Sequence, residues 1–446
     1  MKIYIETLGC PKNFNDSEAA AGICEMSGIT ATNDPWEADA VLVNTCGFIN
    51  DAKKESIDRI FDMIRLKEQK EDMILAVSGC LSQRYADELY KEMPEVDIFL
   101  GVNDYEALPG ALKGSEKGER KRIFSPHPEA FEEFSARKLP ENPYSMTLRI
   151  AEGCDNCCAY CVIPGIRGSY RSRPMEHILD EARELAAAGC RELILIAQDV
   201  TQYGEDIYGE LMLPELLRRL CSVDGVRWIR LMYCYEDKIT EELTEVMASE
   251  DKICKYIDIP IQHVSDNVLA AMNRRSTGES IRKTIKRLRA AMPDIHIRTT
   301  LITGFPGESE QDFEELLDFV EDTRFERLGV FAYSREEGTA AGDMDDQVDE
   351  EVKASRADAV MRIQMDISRE INEKKKGRVM EVLVEGSEDD GSYVGRTAYD
   401  APEVDNSVVF TSERRLRPGD MVHVMITDAF DYDLAGRTED GNELAK

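Results

Sequence analysis

Ser145-Met-Thr-Leu-Arg149-Ile-Ala-Glu-Gly-Cys154-Asp-Asn-Cys157-Cys158-Ala-Tyr160-Cys161 is the stretch on which the reading of the chain turns. Residues 145–150 predict a strand, and the cysteines follow it directly. Cys154, Cys158 and Cys161 have the spacing C-x3-C-x2-C. Three thiolates on one short loop can bind three irons of a 4Fe-4S cluster. The fourth iron is then open to a small molecule, the design of an open catalytic metal position. Tyr160 fits an aromatic side chain beside the cluster or its ligand. Through Cys157 the same segment also reads C-x2-C-C-x2-C, the donor set of a zinc knot. Zinc ribbons usually separate their cysteine pairs by about a dozen residues or more, and four ligands this crowded would strain.

Outward from this loop the chain alternates apolar strands and amphipathic helices. Strands are predicted at 145–150, 192–197, 228–232, 256–259, 296–302 and 327–331, with helices at 175–188, 279–292 and 310–323 between them. Six such units predict an open, partial (β/α)6 TIM-like barrel with its site at the carboxyl ends of the strands. Two of those ends carry polar groups or a glycine turn: Gln198-Asp199, and Gly304 to Gly307. Each turn alone reads first as a plain β–α connection; together with the cysteine loop the two are stronger. A long helix over 349–376 follows. Strands at 379–384, 392–396, 407–410 and 421–427, broken by Gly and Asp, then predict a small β-barrel.

Before the loop, strands at 2–7, 40–44, 73–78 and 97–100 alternate with helices at 16–27, 51–67, 82–93 and 104–112. That alternation predicts a doubly wound parallel sheet. Residues 126–143 carry four prolines and little periodicity, and read as a linker. Cys10, Cys46 and Cys80 each follow a predicted strand, beside Gly9, Gly47 and Gly79. In a parallel sheet the carboxyl ends share one edge, so three such thiols can converge. This predicts a second three-thiolate 4Fe-4S site. Buried cysteine as a small core residue is the alternative. It is the reading kept for Cys24, Cys157, Cys190, Cys221, Cys234 and Cys254.

Bulk properties agree with this outline. The 446 residues exceed one ordinary core. Twelve cysteines and only five histidines point to thiolate rather than imidazole chemistry. No apolar run approaches the ~18 residues a membrane span needs. The start, MKIYIETLGC, has Glu6 and Gly9 where a signal peptide needs unbroken apolar sequence. The expectation is a cytoplasmic protein without a membrane partner. The net charge of −33 argues against a phosphate backbone and for a basic partner, although solvated acidic surface alone can produce it.

Two three-cysteine sites, a partial barrel and a terminal β-barrel together resemble the radical S-adenosylmethionine (SAM) methylthiotransferase family, over essentially the whole chain. The resemblance implies an N-terminal domain with an auxiliary cluster (1–140, with most of the linker), a radical SAM core (141–374) and an OB-like TRAM domain that binds substrate (375–446). It implies two 4Fe-4S clusters and SAM, used both as methyl donor and as radical source. Gly9-Cys10-Pro11-Lys12-Asn13, Ile194–Asp199 and Asp258-Ile-Pro-Ile-Gln262-His263 resemble the branch that modifies an aspartate β-carbon in a small-subunit ribosomal protein. Glu236 departs from that pattern, which has proline there. The sister branch modifies adenosine in tRNA. Residues 377–446 contain seven Lys/Arg against sixteen Asp/Glu. An acidic barrel suits a basic ribosomal protein better than tRNA.

Replacing an unactivated C–H by C–SCH3 is beyond side-chain acid–base chemistry, so no catalytic residue is expected beyond the six cluster cysteines. Tyr160, Gln198, Asp199, Gln262 and Gly304 are the expected SAM contacts. The resemblance also implies an electron donor such as a flavodoxin or ferredoxin. A non-catalytic iron–sulfur carrier or sensor would need none of the SAM-site turns.

Overall fold

A computed structural model describes residues 1–70, 72–115 and 119–439. Residues 440–446, including Lys446 of the terminal-domain charge count, lie outside the described residues. The chain divides into two compact units. The first holds 1–140, 151–173 and 334–342; the second holds 141–150, 174–333 and the chain from Asp343 onward. The units therefore group segments differently from the domains expected at 1–140, 141–374 and 375–446. The cysteine loop belongs with the N-terminal sheet, and the terminal barrel belongs with the central sheet.

The first unit is built on six parallel strands: β1 (Lys2–Thr7), β2 (Thr30–Thr32), β3 (Ala40–Thr45), β4 (Ile74–Gly79), β5 (Ile98–Leu100) and β6 (Lys121–Ile123). Their order is β2-β1-β3-β4-β5-β6. Every residue of β3 is buried, because both faces of the sheet are covered. Val41 and Val43 pack with Ile60, Met63 and Ile64 of the helix Asn50–Gln69. Ala40 and Leu42 face the other way, onto Ala20, Ile23 and Cys24 of the helix Pro11–Met26. That alternation is the two-residue period of a strand. The edge strands β2 and β6 were not foreseen; they are three residues long and too polar to give an apolar run. The expected helix at 82–93 is two helices, Cys80–Arg84 and Ala86–Glu92, that meet at Tyr85. Residues 126–140 form no helix or strand but are tied down: Arg137 Nη2 lies 2.7 Å from Glu18 Oε2, and Ser135 N donates to Glu106 Oε1 at 2.7 Å.

In the second unit, β7 (Ser145–Arg149) starts a six-stranded parallel sheet. The short antiparallel pair β8 (Ala151–Glu152) and β9 (Arg171–Ser172) belongs to the first unit. The central sheet continues with β10 (Glu192–Ile196), β11 (Trp228–Leu231), β12 (Ile253–Asp258), β13 (His296–Thr303) and β14 (Arg327–Ala332), in the order β14-β13-β12-β11-β10-β7. This is the open partial barrel that the sequence predicts. After the helix Glu350–Glu373 comes a closed barrel of β15 (Val379–Ser387), β16 (Tyr393–Thr397), β17 (Val408–Thr411), β18 (Met421–Ala429) and β19 (Leu434–Thr438). Four of its neighbouring pairs are antiparallel; β17 and β19 run parallel. The four-strand reading lacked β19, which closes the barrel.

The barrel is fastened to the central sheet within this unit. Ile194, Ile196, Trp228 and Tyr256 share a core with Leu383 and Ala401. Glu192 is fully buried between two arginines, 2.8 Å from Arg230 Nε and 2.9 Å from Arg396 Nη1. Burial pushes its carboxyl up, but the two guanidinium groups outweigh burial and hold it down at about 2. Arg327 Nε donates to Asp400 Oδ1 at 3.0 Å, and the Tyr256 hydroxyl donates to Asp405 at 2.7 Å. Glu236, the departure from the family pattern, is buried and accepts from Ser276 and, at 2.9 Å, from Ser280. It ties down the start of the helix Gly278–Ala291.

Candidate functional site

Cys10, Cys46 and Cys80 stand just beyond β1, β3 and β4, which are neighbours in one parallel sheet. The register pairs Thr7 with Asn44 and Thr45 with Gly79, so the three strands end level with one another. The loops are drawn together by Asn13, in the first turn of the helix that Cys10 caps. Its Nδ2 donates to Leu8 O at 2.8 Å and to Thr45 O at 3.0 Å. Its Oδ1 faces the Cys80 thiol at 3.8 Å. Gly9 has φ +93°, and a Cβ there would stand 2.8 Å from Cys46 Cβ. Gly79 has the same left-handed φ, and a Cβ there would overlap the Thr45 backbone. All three thiols are free. Burial pushes Cys46 up, and pushes Cys80 to about 11, partly opposed by the Arg167 guanidinium. The neighbouring Cys10 and Cys46 sulfurs oppose a negative charge on Cys80 further. Buried thiols that resist ionisation on their own fit a cationic centre, which would stabilise their thiolate forms.

Arg167 completes this surrounding. It ends the short helix Ile163–Arg167, which starts two residues after Cys161, and it is 3% exposed. Its Nη1 donates to Asp16 Oδ2 at 2.8 Å and toward Glu152 Oε2 at 3.5 Å. Its Nη2 donates to Asn13 Oδ1 at 2.9 Å and to Cys80 Sγ at 3.5 Å. All of these residues lie in the first unit.

The second three-cysteine loop is in that unit too. Cys154 and Cys158 are buried and Cys161 is half-buried, whereas Cys157 is exposed. Cys154 N donates to Gly168 O at 3.1 Å, closing the loop base. Cys161 N donates to Cys158 O at 3.0 Å, making the turn that carries the half-buried Tyr160. Burial pushes the Cys161 thiol to about 12, against the hydrogen bond its sulfur accepts from Ile163 N at 3.4 Å. Cys158 and Cys154 raise it further. Among the described residues no three His, Cys, Asp or Glu side chains close on a single-ion site. Three thiolates, one to each of three irons, are a donor set for a 4Fe-4S cluster that leaves its fourth iron open.

The expected SAM contacts lie in the second unit, apart from Tyr160. Gln198 and Asp199 follow β10. Asp199 is fully buried and accepts from Thr201 N at 3.0 Å, Thr201 Oγ1 at 2.5 Å and Gln202 N at 3.2 Å. Its carboxylate shapes its own loop. Gln262 has φ +70°, rare for a residue with a side chain. Its backbone is held in that conformation by Thr300 O at 2.9 Å and Ile302 N at 2.7 Å. Among the described residues its buried Oε1 finds no hydrogen-bond partner. A strained backbone with an orphaned acceptor is what a ligand-binding position shows. Gly304, also at positive φ, has a structural reason to be glycine: a Cβ would overlap Lys353 of the helix Glu350–Glu373. Its N–H donates at 2.8 Å to Glu308, which is gripped by Arg356 at 2.7 Å.

Sequence reasoning missed Arg167 and the bridging role of Asn13. Asn13 was visible only as part of a family signature, and nothing near Arg167 in the chain signals a partner so remote.

Three family models match successive parts of the chain. Residues 2–101 match the family described as uncharacterized protein family UPF0004, residues 148–320 the radical SAM superfamily and residues 377–438 the TRAM domain. The solved radical SAM methyltransferase TsrM from Kitasatospora setae superimposes with a TM-score of 0.55 at 13% identity, over 87% of this chain and 79% of that one. The cobalamin-dependent SAM radical enzyme OxsB follows with a TM-score of 0.53 at 13% identity, over 81% of this chain and 56% of its own. At such identity these share the fold. Much closer in sequence is the ribosomal protein uS12 methylthiotransferase RimO of Clostridium tetani, 48% identical over 437 residues, 98% of each chain. The RimO proteins of Clostridioides difficile and Geobacter sulfurreducens are 48% and 47% identical, also over 98% of each chain. With near-complete alignment at this identity, the chain belongs to the ribosomal protein uS12 methylthiotransferase family.

Proposed function

We propose that this chain is a radical SAM methylthiotransferase that places a methylthio group on the β-carbon of an aspartate of ribosomal protein uS12. The observation that carries the reading is that both three-cysteine groups lie in one compact unit of a chain aligned end to end with the uS12 methylthiotransferases. Cys154, Cys158 and Cys161 would hold one 4Fe-4S cluster, and Cys10, Cys46 and Cys80 the auxiliary one. When bound, such clusters supply a one-electron reductant, an open iron for SAM and a site that carries sulfur.

The protein's own contribution is positioning. Asn13 holds the ends of β1 and β3 at fixed spacing. The Gly168 carbonyl closes the loop that presents Cys154. Gln262 offers an acceptor to the amino or hydroxyl groups of SAM, with Gln198 as a further contact from the same unit; Tyr160 is the expected contact carried by the Cys154–Cys161 loop. Asp199 and Gly304 act through the loops they shape. The functional division follows 1–140, 141–374 and 375–446, with the acidic terminal barrel recognising the basic ribosomal protein. A flavodoxin or ferredoxin would deliver electrons. Among the described residues no helix is long and apolar enough to cross a membrane. We place the enzyme in the cytoplasm, with its substrate.

The test is anaerobic reconstitution with iron and sulfide, followed by SAM, reductant and either uS12 or bulk tRNA, with mass spectrometry of both. Methylthio addition at a uS12 aspartate is the expected result. Addition to tRNA adenosine would keep the chemistry and overturn the substrate. Neither product, with no 5′-deoxyadenosine, would leave a cluster carrier.

A further inference from the structure

The buried Arg167 belongs by sequence to the Cys154–Cys161 loop, yet its guanidinium reaches the sulfur of Cys80, a proposed ligand of the other cluster. We infer that Arg167 is a positioning residue that sets the reduction potential of the auxiliary cluster and ties that cluster to the loop of the first. The inference rests on the reading of Cys10, Cys46 and Cys80 as ligands.

Four observations converge. Arg167 Nη2 is shared between Cys80 Sγ at 3.5 Å and Asn13 Oδ1 at 2.9 Å, and Asn13 also fixes the carbonyls at the ends of β1 and β3. One guanidinium thus braces all three N-terminal loops. Its Nη1 is oriented by Asp16, which is fully buried, and by Glu152, two residues before Cys154. Its backbone carbonyl accepts from Arg171 Nη2 at 3.0 Å, and the neighbouring Gly168 carbonyl holds Cys154 N. Cys154 and Cys80 are thus joined through a short chain of hydrogen bonds and backbone.

The electrostatic consequence has a definite sign. A guanidinium stays protonated, and N–H donation to a cluster thiolate favours the more negative, reduced state. In a buried setting that attraction is weakly screened. Asp16 and Glu152 partly neutralise the guanidinium, so the potential is set by a balance among three side chains.

The experiment uses the full-length protein with Cys154, Cys158 and Cys161 changed to Ala, so that only the N-terminal site loads. Iron and sulfide content and the midpoint potential, by EPR-monitored titration, are the readouts. Arg167→Gln is expected to load and to titrate at a more negative potential. Arg167→Lys, which keeps the charge, should restore the parent potential. Asp16→Asn removes a neutralising anion and should shift the potential the opposite way. Unchanged potentials in loaded Arg167→Gln and Asp16→Asn would overturn the inference. So would an Arg167→Lys shift as large as that of Arg167→Gln. If Arg167→Gln does not load, the sign of the Asp16→Asn shift decides. If the parent with Arg167 intact binds no cluster, or if adding Cys80→Ala leaves its cluster unchanged, the ligand reading itself fails.

Discussion

Asn13 uses its whole amide on neighbouring loops: two carbonyls take its hydrogens, and a guanidinium and a thiol meet its oxygen. Aspartate at this position would keep the acceptor and lose both donors. Asn13→Asp should therefore destabilise the first unit by about 1–3 kcal/mol per buried carbonyl left unpaired, read as a lower urea midpoint of the apo-protein. The cysteines divide differently. Loss of Cys154, Cys158 or Cys161 should abolish SAM cleavage, measured as 5′-deoxyadenosine. Cys10→Ala should retain part of that cleavage and form no methylthio product. A Cys10→Ala protein that still modifies uS12 would remove the auxiliary role from this site. Cys157, exposed between two proposed ligands, should tolerate Ala with its cluster intact.

At the level of elements, the attachment of the terminal barrel to the central sheet depends on buried charge. Glu192 on β10 holds Arg230 on β11 and Arg396 on β16, all three at most 2% exposed. Removing one member of such a pair strands the others, at about 3–5 kcal/mol. Glu192→Gln should lower the midpoint of thermal unfolding by several degrees; replacing Arg396 together with Glu192 should be less than additive. Acid acts on the loop after β12. Burial drives His263 down to about 4, so the folded protein carries it neutral. The unfolded chain takes up that proton near pH 6.5, so stability is full above pH 6.5 and falls as the pH drops toward 4. The full loss from this one group is about 3 kcal/mol. His296 is buried and shifted the same way, and adds to the slope. His263→Gln should flatten the dependence of thermal unfolding on pH across that window.

For the whole molecule the dominant quantity is charge. At −33, with the acidic excess extending into the terminal barrel, the protein would attract a basic partner over distance and repel nucleic acid. Such steering is screened by salt: raising ionic strength from about 0.1 M to about 1 M shortens its range from roughly 10 Å to roughly 3 Å. KM for uS12 should rise by about tenfold or more over that range while kcat changes little. A KM independent of salt would place recognition in apolar contacts instead.

The sequence by itself determined the features written within a few residues or by strand order. The C-x3-C-x2-C loop is local, so Cys154, Cys158 and Cys161 were legible without a fold. Cys10, Cys46 and Cys80 were legible because a parallel sheet places its carboxyl ends on one edge, whatever its side-chain packing. Strands β2, β6 and β19 escaped because pairing to a neighbour, rather than an apolar run of their own, makes them strands. Tertiary structure alone decided the rest. Arg167 meets Asn13 across 154 residues of chain and Cys80 across 87. Gly304 proved to be glycine because of Lys353, and Asp199 turned to its own loop. Local sequence encodes the elements and the placement of reactive side chains at their ends. Which remote side chain stands beside them is set by packing, and no spacing along the chain records it.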